Sequence, residues 1–185
     1  MDEDKTKWNK IFALRPDNLL PPESFLIRNI GSLKEGSILD VACGDGRNAV
    51  FLARNKFNVT GIDSSSEALL RLQKFSAEMG FKIQTREMDL DFPAGIKKLG
   101  TFDNILISHY KPNTEFWALV PELLNPHGTV VICTFNTQQH QTEGFPEKYC
   151  LAPQELNTVR GLQILKYETF VENDRHFDAY IFKKP

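Results

Sequence analysis

The segment Ile38-Leu39-Asp40-Val41-Ala42-Cys43-Gly44-Asp45-Gly46-Arg47-Asn48-Ala49 decides how this chain folds. It passes from an apolar run through two glycines into helical spacing, and so predicts a strand, a sharp turn and a helix start. Gly44 and Gly46 permit positive φ or close approach of a ligand to the backbone. A helix beginning near Arg47 aims unpaired N–H groups at whatever lies above the turn. In open α/β sheets ligands bind in that crevice, outside the carboxyl ends of the strands.

Outward from this segment, short β-branched runs alternate with amphipathic ones, the pattern of an α/β chain whose crossover helices cover both faces of a parallel sheet. Strands are expected at 37–42, 58–62, 82–88, 102–108 and 129–134, and helices at 47–56, 65–79 and 114–124. Ser64 with Glu67 gives the second helix a capping-box pattern, and Pro121 should kink or shorten the third. Before the first strand, Leu26, Ile30 and Leu33 follow Pro22 at helical spacing, and residues 8–14 form a further short helix. Runs at 162–171 and 177–183 flank Asn173-Asp174, a hairpin turn that ends the sheet antiparallel. Residues 137–152 are polar and aperiodic, so a long loop is expected there.

At 185 residues, 25% charged and 41% hydrophobic, the chain suits one domain with its own core, and disordered or fibrous classes are excluded. Lys and Arg total 22 against 24 Asp and Glu; that net charge of -2 does not favour a nucleic-acid backbone or an anionic membrane surface. The opening residues are polar and acidic, and no apolar run is long enough to span a bilayer, which places the protein in the cytoplasm. Cys43, Cys133 and Cys150 lack disulfide or zinc spacing; the first two are small core residues, whereas Cys150 lies in a polar stretch that would expose it. His127 and His140 have no partner at metal spacing, so no metal is expected, and the Lys97-Lys98 and Lys183-Lys184 pairs are expected to be solvated.

Gly44 to Ala49 also spells G-x-G-x-x-A, the turn of a dinucleotide site, so an NAD(P)-dependent oxidoreductase is one candidate function. The carboxylates of Asp40 and Asp45 would repel a pyrophosphate, whereas they suit a ligand that carries an ammonium and no phosphate, such as S-adenosylmethionine. Asp63, ending the second strand with Ser64 after it, is placed to accept ribose hydroxyls, a feature common to both cofactors. Asp89 follows the third strand, suited to the adenine amino group with Leu90 against the ring, while Asp91 is expected to be solvated. The fourth strand ends Ile107-Ser108-His109-Tyr110, facing the reactive end of such a cofactor; His109 and Tyr110 are the candidates for catalytic contact.

On Leu39 to Gly46, Gly61-Ile62-Asp63, Asp89 and Phe102-Asp103-Asn104-Ile105, the chain resembles the class I S-adenosylmethionine-dependent methyltransferases. Residues 46–53 and the segment Tyr149-Cys150-Leu151-Ala152-Pro153-Gln154-Glu155-Leu156 resemble the tellurite-resistance (TehB-like) and thiopurine-type small-molecule branch. Departures are Ala42-Cys43, where Gly-Cys is usual, and Pro126-His127-Gly128, where Pro-Gly-Gly is common. The resemblance implies a single Rossmann-like, doubly wound sheet of about seven strands, mostly parallel with an antiparallel C-terminal strand.

On this reading, residues 1–36 form N-terminal cap or lid helices, 37–134 the cofactor-binding core, and 135–185 an acceptor-side loop and hairpin. Asp40, Ala42, Gly44, Gly46, Asn48, Asp63, Ser64, Asp89, Leu90 and Ser108 would bind S-adenosylmethionine, which leaves as S-adenosylhomocysteine. Trp8, Arg15, Tyr110, Phe145 and Tyr149 would line the acceptor side. The absence of an obvious base motif points to a soft thiol, selenium or tellurium acceptor, which needs little proton chemistry. A nucleoside-binding sensor or accessory protein without catalysis is the remaining alternative.

Overall fold

The computed structural model describes residues 2–185. Seven strands form one sheet: β1 (Ser37–Val41), β2 (Asn58–Asp63), β3 (Gln84–Glu87), β4 (Phe102–Ser108), β5 (Leu124–Phe135), β6 (Gln163–Glu172) and β7 (Arg175–Lys183). Their order is β3-β2-β1-β4-β5-β7-β6. The first five are parallel, and β7 runs antiparallel between β5 and β6. Strand order reverses between β1 and β4, so the crevice at a topological switch point opens beside the glycine turn.

Six helices accompany the sheet: α1 (Asp2–Ala13), α2 (Ser24–Asn29), α3 (Arg47–Arg54), α4 (Ser66–Glu78), α5 (Thr114–Leu123) and α6 (Thr137–Glu143). Alternation along the central strands divides the core between the two faces. Ile38, Val59, Leu106 and Val131 pack with Phe25, Val50 and Leu72 of α2 to α4. Leu39, Ile62, Ile105 and Ile107 pack with Phe116, Val120 and Leu123 of α5. Strands buried on both faces read as continuous apolar runs, which is why β4 matches its sequence expectation residue for residue.

The glycine turn is the tightest point of the scaffold. Gly46 has φ +92°, and a Cβ there would lie 2.1 Å from Leu72 Cδ1, so only glycine lets α3 pass this close to α4. Asp103 serves the opposite edge of the sheet: its Oδ2 accepts the Ser37 N–H and hydroxyl, each at 3.0 Å, tying the starts of β1 and β4 together. Lys34 and these hydrogen bonds hold its carboxyl well below the usual carboxylate range.

Four local expectations need correction. Ser65, not Ser64, caps α4, accepting from the Ala68 N–H at 3.1 Å. The 137–152 stretch is not a plain loop: the Asn136 side chain accepts from the Gln138 N–H and starts α6, a short helix of polar residues that periodicity does not reveal. Pro121 lies inside α5, and the helix ends two residues beyond it, in agreement with the expected shortening. Lys184 is not simply solvated, since its ammonium donates to the Pro121 and Leu124 carbonyls at 2.6 and 2.7 Å and satisfies that helix end. Cys150 is buried, because its chain segment bridges back onto Asn136 through Leu151.

Candidate functional site

Asp40 lies one residue before the end of β1 with its side chain fully inside the protein, and its Oδ2 has no hydrogen-bond partner. Burial and the nearby Asp63 charge push its carboxyl up to about 8, against a partial opposing pull from Arg47. A buried carboxylate without a cation or donor is costly, so this position is suited to a ligand that brings positive charge. Asp89 Oδ2 and Ser108 Oγ, following β3 and ending β4, are also buried and without partners. Orphaned polar atoms thus gather along one edge of the sheet, where an ammonium, hydroxyls and amino groups of a nucleoside would satisfy them. The residues present therefore fit S-adenosylmethionine.

The turn between β1 and α3 presents backbone rather than side chains. Gly46, in left-handed conformation, precedes α3 without any side-chain cap, leaving the first N–H groups of that eight-residue helix for an anionic group. Ala42 also has φ +56°, which explains why glycine is favoured there and makes the substitution a strained one rather than a neutral one. Asp63 has both oxygens engaged: Oδ2 accepts the Gly44 N–H and Oδ1 the Ser65 N–H, each at 2.8 Å. Burial raises its carboxyl despite these bonds. Asp63 consequently organises the turn as well as facing the crevice, a role its strand-end position alone does not disclose. Ser64, beside it, is half-buried.

Other expected cofactor residues fall into two groups. Asp89 Oδ1 accepts the Asp91 N–H at 3.0 Å, so one oxygen shapes the turn after β3 while the other stays free, and Leu90 is buried next to it. Asn48 also ties the scaffold together, its Oδ1 accepting the Glu23 N–H at 2.8 Å at the start of α2.

Helix α1 lies across this edge. Its Asn9 Oδ1 accepts from the Ser65 hydroxyl at 2.8 Å and from the Glu67 N–H at 3.3 Å at the start of α4. Phe12 is buried and would meet a Cβ on Gly44 at 3.1 Å, and Arg15, stacked on the Phe12 ring at 4.5 Å, donates to Asp45 at 3.1 and 3.2 Å. Arg71 approaches the same carboxylate at 3.5 Å. Asp45 is therefore neutralised by two arginines and does not itself repel a phosphate; the burden of that discrimination rests on Asp40.

Among the residues expected to line an acceptor, the Lys7 ammonium lies 5.7 Å from the Trp8 ring and 5.9 Å from the Tyr149 ring, so α1 and the 145–149 segment meet. Phe145 packs on Phe135 with centroids 4.7 Å apart. The Tyr110 hydroxyl is aimed at the Leu90 carbonyl, and burial together with Asp91, Asp89 and Asp63 raises it well above the ordinary phenol range. It stays protonated and is unsuited to act as a base.

His109 follows β4 with φ +56° and does not stand alone. Its Nε2 is 2.7 Å from Glu23 Oε2, and Arg47 donates to the same carboxylate oxygen at 2.9 Å. Glu23, nearly fully buried, was not recognisable from sequence, because it precedes a six-residue helix and is 86 positions from its partner. The pairing of a strand-end His with a buried acidic residue only emerges once α2 is docked.

Residues 38–128 match a family profile described as a methyltransferase domain. A ubiquinone biosynthesis O-methyltransferase of Nitrosococcus oceani is 33% identical over 134 residues, covering 70% of this chain and 56% of that protein. The chain spans about half the length of the curated relatives it matches. TehB from Haemophilus influenzae superposes with a TM-score of 0.75 at 17% identity over 96% of this chain and 67% of that one. A SAM-dependent methyltransferase from Aquifex aeolicus gives 0.70 at 19% identity over 98% and 99%. Residues 38–128, which include the glycine turn, thus match a methyltransferase domain, and the seven-stranded sheet has the fold of the S-adenosylmethionine-dependent methyltransferases that superpose on it.

Proposed function

We propose that this protein transfers the methyl group of S-adenosylmethionine to a small acceptor. The observation that carries the reading is the unpartnered, fully buried Asp40 carboxylate beside the glycine turn. When bound, the donor supplies a methyl carbon already activated by its sulfonium, so the chain's own task is alignment and exclusion of water. In this reading Asp40 attracts the ammonium, and Gly44, Gly46 and the free N–H groups of α3 receive the carboxylate. Asp63 and Ser64 hold the ribose, Asp89 and Leu90 the adenine, and Ser108 and Ala42 border the reacting end. Helix α1 closes over the crevice through Phe12 and Arg15 and shields it from water.

The acceptor enters between Trp8, Tyr110, Phe145 and Tyr149. The chain's net charge of -2 supports a small molecule over a nucleic acid. Three free, buried cysteines support a reducing, cytoplasmic setting. A soft thiol, selenium or tellurium acceptor needs no base, and Tyr110, held protonated, does not supply one. A hydroxyl acceptor is the second reading, favoured by the O-methyltransferase activity named for the relative above. Incubation with donor labelled in its methyl group and a panel of thiols, selenite, tellurite and phenols tests the proposal. Label recovered in acceptor supports it. A protein that binds donor but labels nothing is a nucleoside-binding protein instead.

A further inference from the structure

We propose that His109 and Glu23 form a proton-accepting pair on the acceptor side, and that the acceptor is accordingly a weakly acidic hydroxyl of the phenol type. This rests on the methyl-transfer reading above and extends it to the substrate class.

The geometry fixes the state of the imidazole. Nε2 lies 2.7 Å from Glu23 Oε2 and 3.1 Å from Arg47 Nη2, which already donates to that same carboxylate oxygen at 2.9 Å; of the two contacts the shorter decides, since two lone pairs at 2.7 Å repel, so Nε2 carries the hydrogen and donates to Glu23. The neutral ring then has its lone pair on Nδ1. Nδ1 makes no hydrogen bond to protein and is not among the buried polar atoms without partners, so it opens to accessible space. Burial pushes Glu23 up, but the His109 ring and the Arg47 guanidinium more than offset this and keep it a carboxylate.

The pair is held rigidly. The His109 ring packs on Phe135 of β5 at 5.0 Å and on Phe177 of β7 at 5.2 Å, and its backbone N–H donates to the Cys133 carbonyl at 2.9 Å. The charged groups in contact with it are Glu23, before α2, and Arg47, at the start of α3; β5 and β7 contribute aromatic rings and the buried, protonated Cys133 thiol, which also feels the more distant Glu172 and Arg28 charges. A left-handed backbone at a non-glycine residue is strained, and strain retained beside a ligand crevice marks a position under functional constraint. Ser108, whose hydroxyl is unpartnered, is its immediate neighbour in the chain.

The chemistry balances. The acceptor O–H proton passes to Nδ1, and the oxygen keeps the electron pair and forms the bond to the methyl carbon. The pair of the broken carbon–sulfur bond stays on sulfur, which becomes a thioether. Glu23 stabilises the imidazolium, which afterwards returns its proton to water. A thiolate would not require this arrangement, so a buried carboxylate behind the ring points to the harder, less acidic nucleophile.

The test uses 4-nitrocatechol, whose ionised form is coloured, with wild type, His109→Gln and Glu23→Gln, each checked for folding by circular dichroism. Bound to the donor-free protein, the probe is expected to ionise at lower pH than in water, and His109→Gln should abolish that displacement. With donor present, His109→Gln should lower kcat for this probe by about 10²- to 10⁴-fold. Glu23→Gln should move the acidic limb of the kcat profile to lower pH, which loss of a mere structural tether would not do; if that variant fails to fold, His109→Gln decides alone. Retention of the colour displacement and of kcat within about threefold in His109→Gln overturns the proposal. So does a wild-type protein that methylates thiols yet neither ionises nor methylates 4-nitrocatechol. Failure of the underlying reading has a separate signature, the absence of donor binding in calorimetry.

Discussion

The Asp63 carboxylate accepts the Gly44 N–H at 2.8 Å, tying the end of β2 to the glycine turn that follows β1. Its second oxygen accepts the Ser65 N–H, so one side chain sets both the turn and the start of α4. Asp63→Ala should therefore lose stability as well as donor affinity. Two buried N–H groups left without partners cost about 2–4 kcal/mol together, to be read from urea unfolding. Unchanged stability would show that the turn holds its shape without this carboxylate.

Asp40 links ligand binding to protonation. Its folded value of about 8 lies above the model-peptide value of 3.8, so between those pH values the folded chain binds the proton more tightly than the unfolded chain. Stability of the ligand-free protein should fall as pH rises through this window. Asp40→Asn, which does not titrate, should raise Tm at pH 8 by at least about 2–4 °C, with the gain vanishing near pH 4. The same substitution should weaken donor binding about 10- to 100-fold, by loss of a charge-assisted contact. A Tm at pH 8 that is unchanged or lower refutes the assignment of a costly buried charge.

The contact of Arg15 with Asp45 latches α1 over the turn. Arg15→Gln should speed amide exchange in residues 2–13 and raise the donor off-rate several-fold, while residues 102–108 of β4 keep their protection. Equal exchange in both proteins would mean that Asn9 and Phe12 hold the helix without the arginine.

Ala42→Gly relieves a φ of +56° at the first residue after β1. Left-handed alanine costs about 1–2 kcal/mol, and glycine's larger unfolded-state entropy returns about 0.5–1 kcal/mol of that. A net gain of up to about 1.5 kcal/mol is expected in chemical denaturation. A net loss would indicate that the alanine methyl group packs against something worth more than the strain.

The strands and the crevice could be read from the sequence because their signals are local. A run buried on both faces is apolar throughout, and a turn that needs positive φ selects glycine, so β1, β4, Gly44 and Gly46 stand out without tertiary knowledge. What escaped reading depends on partners distant in the chain. Asp45 looks like a free acid until Arg15 and Arg71 fold onto it, and the bond from the Glu23 N–H to the Asn48 side chain joins positions 25 apart in the chain. His109 appears as a lone histidine until α2 docks and brings Glu23, which carries no motif of its own, to 2.7 Å from its ring. Residues 137–143 lack apolar periodicity because α6 is short and its buried member is Gln139, whose side chain accepts from the His176 N–H at 2.8 Å.

Isothermal titration of the purified protein with S-adenosylmethionine and, separately, with NADH at pH 7, in two buffers of different ionisation enthalpy, bears most directly on the role of Asp40. Saturable binding of the methyl donor, with a proton released to buffer and no response to NADH, is the expected result. Tight NADH binding with no heat from S-adenosylmethionine would contradict it.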